Sequence, residues 1–76
     1  MTISSKIKSL LKMNNKEHSE LASFLGISRQ SLTNKLFRGS FSAADLVKIA
    51  TFLNCELCFL SNESKITLNI NDIEEL

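Results

Sequence analysis

Apolar residues in the first three quarters of the sequence recur with the 3.6-residue period of an α-helix. The first amphipathic stretch predicts a helix over about residues 3–13, with an inner face of Ile3, Ile7, Leu10 and Leu11. A second, shorter stretch predicts a helix over about residues 17–25, with an inner face of Leu21, Ala22, Phe24 and Leu25. Gly26 ends this second helix, because glycine readily adopts the left-handed conformation found just past many helix ends.

Two further helices are predicted from the residues at their starts. Ser28 is placed as the N-cap of a third helix over about residues 29–37, where its hydroxyl can accept from an otherwise unpaired backbone N–H. The inward positions of this helix are Leu32 and Leu36, and Gly39 ends it. Ser42 is placed as the N-cap of a fourth helix, with Asp45 at the capping-box position. The inner face of the fourth helix is Leu46, Ile49, Ala50 and Leu53.

After Asn54 the apolar period changes from 3.6 to 2, which predicts a β-hairpin over residues 55–70 with a turn at residues 61–64. If Leu60 pairs with Lys65, three apolar pairs lie on one face: Phe59 with Ile66, Leu57 with Leu68, and Cys55 with Ile70. A slip of one residue would destroy all three pairs, so the pattern specifies the register. Residues 71–76 are acidic and form either a frayed tail or one last helical turn.

The predicted fold is therefore mainly α, with four helices in residues 1–54 and a hairpin that belongs to the same domain. A chain of 76 residues is close to the smallest that folds without metals or disulfides, which leaves little room for a catalytic cleft. The sequence has no glycine-rich phosphate loop, and its carboxylates are scattered, so we do not expect an enzyme.

The two cysteines have CxxC spacing, but we expect no metal site. Zinc needs four ligands, and the sequence offers Cys55, Cys58 and the distant His18. On a strand, residues three apart point to opposite faces, so Cys55 is expected in the core and Cys58 on the outer face. The amino terminus lacks the features of a signal peptide, and no apolar run approaches the roughly 20 residues of a membrane span. We therefore expect a cytoplasmic protein with reduced thiols.

Charge and side-chain chemistry both change along the chain. Residues 1–40 carry a formal charge of +5 and residues 41–76 a charge of −4, which indicates one basic face suited to a polyanion. The polar positions of the third helix are Arg29, Gln30, Thr33, Asn34 and Lys35, with no carboxylate among them. Arginine matches the guanine edge, and glutamine or asparagine matches the adenine edge. Two short helices joined at Gly26 thus predict a helix-turn-helix that binds double-stranded DNA.

The stretch from Glu20 to Leu32 resembles the helix-turn-helix of the lambda-type phage repressors and Cro proteins, also called the xenobiotic-response-element (XRE) type. The matching residues are Leu21-Ala22, Leu25-Gly26-Ile27-Ser28 and Arg29-Gln30-Ser31-Leu32, followed by Leu46, Ile49-Ala50 and Leu53-Asn54. The resemblance covers about residues 5–60 and implies a lambda-repressor-like domain. The sequence departs from it at Glu17 and His18, where many relatives have a capping Ser or Thr and a phosphate-binding Gln, and in the hairpin, where many have a fifth helix.

The resemblance implies two sets of DNA contacts. The base contacts are Arg29, Gln30, Thr33 and Asn34. The backbone contacts are His18, Ser28, Ser31, Lys35, Arg38, Ser40 and Ser42, the last because the N–H groups that open the fourth helix suit a phosphate. We expect Lys6, Lys8, Lys12 and Lys16 to be solubilising and Phe37 to lie at the edge of the core.

We therefore expect a small bacterial, phage or mobile-element repressor that binds double-stranded DNA as a homodimer through the hairpin. No cofactor, membrane partner or small-molecule substrate is expected. A second interpretation stays open: a protein-interaction module on the same fold, such as an antitoxin-like protein or an adaptor. The hairpin edge and the acidic carboxyl half favour this alternative, and the polar, carboxylate-free third helix opposes it.

Overall fold

Within residues 2–73, which the computed structural model describes, four α-helices are followed by a two-stranded antiparallel hairpin and a 3₁₀ turn. The elements are α1 (Ile3–Met13), α2 (His18–Leu25), α3 (Arg29–Arg38), α4 (Ala43–Phe52), β1 (Leu57–Leu60), β2 (Lys65–Leu68) and the 3₁₀ turn (Ile70–Asp72). The predicted mainly α fold with a C-terminal hairpin is confirmed. The chain divides into two compact units between Phe41 and Ser42. That the hairpin shares one domain with all four helices stays a prediction.

Side-chain caps start the helices of the first unit. Thr2 Oγ1 accepts from the Ser5 N–H at 3.0 Å, and Ser5 Oγ accepts from the Thr2 N–H at 3.0 Å, so α1 begins with a reciprocal capping box. At the start of α2, the Glu17 N–H donates to a Glu20 carboxylate oxygen at 2.9 Å. Gly26 follows α2 with a φ of +71°, the left-handed conformation expected of it.

The buried apolar residues of the first unit form stripes along its three helices. They are Ile7, Leu11, Leu21, Ala22, Leu32 and Leu36. α2 packs against α3, and α1 is tied to the last turn of α3 by a buried hydrogen bond, in which Ser4 Oγ donates to the Leu36 carbonyl oxygen at 2.5 Å. The inward placement predicted for Ile3, Leu10 and Phe24 is wrong, since all three are exposed.

In the second unit, the predicted capping box of α4 is confirmed. Ser42 Oγ accepts from the Asp45 N–H at 3.0 Å, and the Ser42 N–H donates to Asp45 Oδ2 at 3.0 Å. The helix contacts β1 and the 3₁₀ turn. Its buried side chains are Val47 and Ile49, with Leu53 just past its end, and Val47 was not among the predicted inner positions.

The register predicted for the hairpin is confirmed over its two strands. Leu57 pairs with Leu68, Phe59 with Ile66, and Leu60 with Lys65. The third predicted apolar pair, Cys55 with Ile70, does not form, and Cys55 is exposed rather than in the core. The reason lies at the open end, where Asn54 turns the chain with a φ of +55° and the 3₁₀ turn begins at Ile70.

Polar interactions also occur in the hairpin. In the tight turn the Ser61 N–H donates to the Ser64 carbonyl oxygen at 2.9 Å. Lys65 and Glu56 form an exposed ion pair, and the hydrogen bond and charge of Glu56 raise the pKa of Lys65. Of the predicted acidic tail, residues up to 72 form the 3₁₀ turn, whereas residues 74–76 lie outside the described residues.

Candidate nucleic-acid interface

The third helix, α3, is positioned by a three-residue turn and a serine cap. After Gly26 reverses the chain, Ser28 Oγ accepts from the Ser31 N–H at 3.0 Å and donates to Ser31 Oγ at 3.0 Å. Leu32 and Leu36 are buried along one side of the helix. The opposite side is therefore fixed outward by the helical period.

Three of the four predicted base-contacting side chains, Gln30, Thr33 and Asn34, lie away from that buried stripe, whereas Arg29 precedes Leu32 by three residues and is exposed because it opens the helix. Arg29, Gln30, Thr33 and Asn34 are exposed. Gln30 Nε2 donates to Asn34 Oδ1 at 3.3 Å, so the two amides form one hydrogen-bonded pair along the helix. The pair still has a free acceptor on Gln30 and free N–H donors on both amides, which is the donor and acceptor set that an adenine edge requires.

Thr33 is more restricted than its neighbours. Its hydroxyl donates to the Arg29 carbonyl oxygen, one turn earlier, at 3.0 Å. The side chain therefore keeps only its oxygen lone pairs and its methyl group for an outside partner. A contact by Thr33 would be either an accepted hydrogen bond or an apolar contact.

The predicted backbone contacts on α3 lie along a neighbouring stripe. Ser31, Lys35 and Arg38 follow at intervals of four and three residues, so they share one flank of the helix. Ser31 and Arg38 are exposed, and Lys35 is half-buried. Ser28 at the start of the helix and Ser40 after its end are also exposed. Hydroxyl and cationic groups thus flank the amide and guanidinium groups, as expected where phosphates border a groove.

His18 is brought to the same face from α2. It lines an open cleft of about 180 Å³ together with Lys8, Thr33, Leu36 and Phe37. A predicted backbone contact and a predicted base contact therefore lie on one surface. Lys8 was expected to be merely solubilising, yet it joins them there.

A larger basic cleft adjoins this one, because Lys8 and His18 line both. Its volume is about 410 Å³, and its lining residues are Lys8, Leu11, Lys12, Asn15, Lys16, Glu17 and His18. Three lysines and a histidine outnumber the single carboxylate of Glu17, so the cleft suits an anion. The signal in the sequence is the spacing of Lys8, Lys12 and Lys16, which places them on one stripe.

Ser42 belongs to the second unit and is described separately. Its N–H is bonded to Asp45 Oδ2, as the predicted capping box requires, so this group offers no donor to a phosphate. A phosphate contact at Ser42 would have to use the hydroxyl or the neighbouring Ala43 N–H. The Asp45 carboxylate beside them disfavours an additional anion.

Phe37 is the main residue whose position the sequence did not predict correctly. It was expected at the edge of the core, but its side chain is 90% exposed. The helical period predicts this exposure, because Phe37 follows Thr33 by four residues and Asn34 by three and therefore shares their exposed face.

No group of three or more metal-ligating side chains occurs within the described residues. Both cysteines are free thiols. The helices in the part of the chain that the structure describes are too short or too polar to cross a membrane.

A family model described as the bacteriophage CI repressor helix-turn-helix domain matches residues 3–65, which include all four helices and the start of β2. No curated protein and no solved structure matches the chain.

Proposed function

Because the chain belongs to the bacteriophage CI repressor helix-turn-helix domain family, we propose that it is a sequence-specific transcriptional regulator that binds double-stranded DNA with α3 in the major groove. The observation that carries the proposal is that α3 exposes four hydrogen-bonding side chains, Arg29, Gln30, Thr33 and Asn34, and no carboxylate. A bacterial, phage or mobile-element repressor is the simplest form of such a regulator. A DNA partner of this kind also implies that it acts in the cytoplasm.

The chemistry of the four side chains suggests a division of roles. The Arg29 guanidinium is a fork of donors that fits guanine O6 and N7. The amides of Gln30 and Asn34 fit adenine N6 and N7, and their mutual hydrogen bond orients both toward the same groove. Thr33 contributes a lone pair or its methyl group, because its hydroxyl proton is engaged.

Phosphate contacts would hold α3 in register without selecting a sequence. The proposed groups are His18, Ser28, Ser31, Lys35, Arg38 and Ser40; Ser42 is left out, because its capping box with Asp45 places a carboxylate beside it. Their support is the formal charge of +5 on residues 1–41 and the exposure of the serines and Arg38. Lys8 joins this set, since it shares a cleft with His18 and Thr33.

One helix-turn-helix covers one half-site, so useful specificity calls for two copies on a nearly palindromic site. We assign the contact between copies to the tip of the hairpin. Phe59, Leu60 and Ile66 are 70%, 75% and 62% exposed there. A two-stranded sheet also has both edges unpaired, which favours pairing with a second copy.

The alternative function is a protein-interaction module on the same fold. Residues 42–76 carry a charge of −4 and present the apolar hairpin tip, which would suit a protein partner with a basic rim. The two functions differ in their response to salt. Binding to DNA should weaken steeply as salt rises, because each neutralised phosphate releases counterions.

Selection of bound duplexes from a random pool tests the proposal. The expected result is an inverted repeat whose half-sites are centred about 10 base pairs apart, or a multiple of that spacing. The matched control is the double variant Gln30→Ala, Asn34→Ala, which changes two exposed side chains and should enrich a motif without the adenine preference that these amides supply. Failure of the wild-type protein to enrich any motif, together with binding insensitive to salt, would overturn the proposal.

A further inference from the structure

Phe37 is the most exposed large apolar side chain among the described residues, at 90%. Large aromatic side chains are normally buried at least in part, so Phe37 differs in leaving nearly its whole apolar surface free to contact a partner. Its helix is well anchored at this point, because the adjacent Leu36 is buried and its carbonyl oxygen accepts from Ser4. The exposure of Phe37 therefore follows from its position on the helix and not from fraying of the helix end.

The surroundings of Phe37 combine two kinds of polar group. Thr33 and Asn34 lie one turn earlier on the helix, among the residues proposed to contact bases. Lys8 and His18 line the cleft of about 180 Å³ together with Thr33 and Phe37 itself. Phe37 thus neighbours both groups suited to base edges and basic side chains suited to the phosphate backbone.

We infer that Phe37 determines specificity by packing against the C5-methyl group of a thymine in the major groove. This inference rests on the proposed function. The methyl group of thymine is the one apolar feature that a base pair presents in that groove. It projects beside the sugar–phosphate backbone, which corresponds to the position of Phe37 next to both Asn34 and the side chains of Lys8 and His18.

The length of α3 gives the expected position of that thymine. Phe37 follows Arg29 by eight residues, or about 12 Å along a helix that rises 1.5 Å per residue. With base pairs stacked about 3.4 Å apart, a helix axis that follows the groove separates the two contacts by about three to four base pairs. Each half-site should therefore contain a thymine at that distance from the guanine contacted by Arg29.

A protein partner on Phe37 is the competing explanation. Such a partner would cover the side chains beside Phe37, and Thr33 and Asn34 would then be unable to contact DNA. Insertion between base pairs is disfavoured, because apolar wedges of that kind act from the minor groove. The shared face of Phe37 and the proposed base-contacting residues therefore favours a base edge as its partner.

The experiment combines a protein substitution with removal of a single methyl group from DNA. Wild-type protein and Phe37→Ala are titrated against the selected site and against copies in which one thymine at a time is replaced by deoxyuridine. At one thymine per half-site the wild type should lose about fourfold in affinity, the factor for one buried methyl group. Phe37→Ala should bind the thymine site more weakly than wild type and should not distinguish thymine from deoxyuridine at that position.

Two further variants test whether the methyl sensitivity depends on an apolar side chain at position 37. Phe37→Leu retains an apolar side chain and should restore part of the sensitivity to the methyl group. Met13→Ala removes another exposed apolar side chain of the first unit, at the end of α1, and should leave that sensitivity unchanged. Circular dichroism checks that each variant is folded, which the exposure of both positions favours.

The results separate this inference from the function on which it rests. If wild type binds its selected site but responds to deoxyuridine at every position by the same factor as Phe37→Ala, the thymine contact is overturned and DNA binding stands. The same holds if Phe37→Ala binds DNA as wild type does, as a protein-docking role for Phe37 requires. If wild type selects no sequence at all, both the inference and the proposed function fail.

Discussion

Hydrogen bonds within α3 determine what each outward side chain can still offer to DNA. The Thr33 hydroxyl proton is held by the Arg29 carbonyl oxygen, and one Gln30 N–H is held by Asn34. The Arg29 guanidinium is exposed at the first position of the helix. Because amino-terminal residues of such helices approach base edges most closely, Arg29 should contribute most to selectivity.

Arg29→Ala should therefore weaken binding to the selected site by about 1–3 kcal/mol and relax the preference at one base pair. The physical reason is the loss of a two-pronged contact to a guanine edge. Fluorescence anisotropy with the selected site and its single-base variants measures both effects. Arg38→Ala is the control, since a phosphate contact should weaken all sequences alike. An equal loss for Arg29→Ala on every base variant would exclude a base contact.

Lys8 should contribute to DNA binding through its charge alone. Lys8→Gln should weaken binding to all duplexes similarly and reduce the salt slope by about 0.9, the value for one neutralised phosphate. Lys6→Gln is a matched control, because Lys6 is an exposed lysine of α1 that lines neither basic cleft. Titrations at several salt concentrations give the slopes. Equal slopes for Lys8→Gln and wild type would remove Lys8 from the interface.

The exposure of single residues was predictable where the helical period and the polarity of the side chain agreed. Gln30 and Asn34 are polar and fall on the outward side of α3, and both are exposed. Phe37 falls on the same side but is apolar, so its chemistry suggested burial while its position dictated exposure. Lys8 was missed for a different reason: its relation to His18 depends on how α1 and α2 pack, which no local pattern encodes.

At the scale of elements, local capping chemistry made the helices predictable. Ser28 and Ser42 each accept from an N–H three residues later, and Gly26 takes the left-handed conformation, as their positions in the sequence indicated. The hairpin register was predictable from alternation alone. Its length was not, because the end of a ladder depends on the backbone at Asn54 and Asn69, and alternation carries no information about that.

Substitution of Gly26, in the turn between α2 and α3, tests the cost of its backbone conformation separately from side-chain packing. A Cβ atom added at Gly26 would meet nothing within 4 Å, so substitution there changes only the cost of the left-handed conformation. Gly26→Ala should reduce the free energy of unfolding by about 1–2 kcal/mol. Gly26→Asn should cost clearly less, because asparagine adopts this conformation more readily. Urea unfolding of the three proteins measures the difference, and equal losses for both variants would contradict a conformational cause.

For the whole molecule, the division of charge coincides with the division of structure. The first unit, up to Phe41, carries the helix-turn-helix and a formal charge of +5. The second unit, from Ser42, carries the hairpin and a charge of −4. An acidic unit is repelled by DNA phosphates, so its exposed apolar tip is better suited to a protein surface, for which the proposal above names a second copy of the chain.

Phe59→Lys tests this assignment, because it places a charge in the exposed apolar tip beside Ile66. A lysine that must be desolvated between two copies should shift sedimentation from dimer to monomer. Binding to a full palindromic site should then weaken strongly, while binding to an isolated half-site should change little, since the two half-sites are no longer linked.

Asn71→Lys adds the same charge to an exposed position of the 3₁₀ turn in the same unit, and it should remain dimeric. Comparison of the two variants therefore shows whether dimerisation depends on where the lysine is placed or only on the added positive charge. A wild-type protein that sediments as a monomer on its full site, or a Phe59→Lys protein that still dimerises, would show that the hairpin tip is not where two copies meet. The exposed apolar tip would then be assigned to binding a different protein, as the alternative function requires.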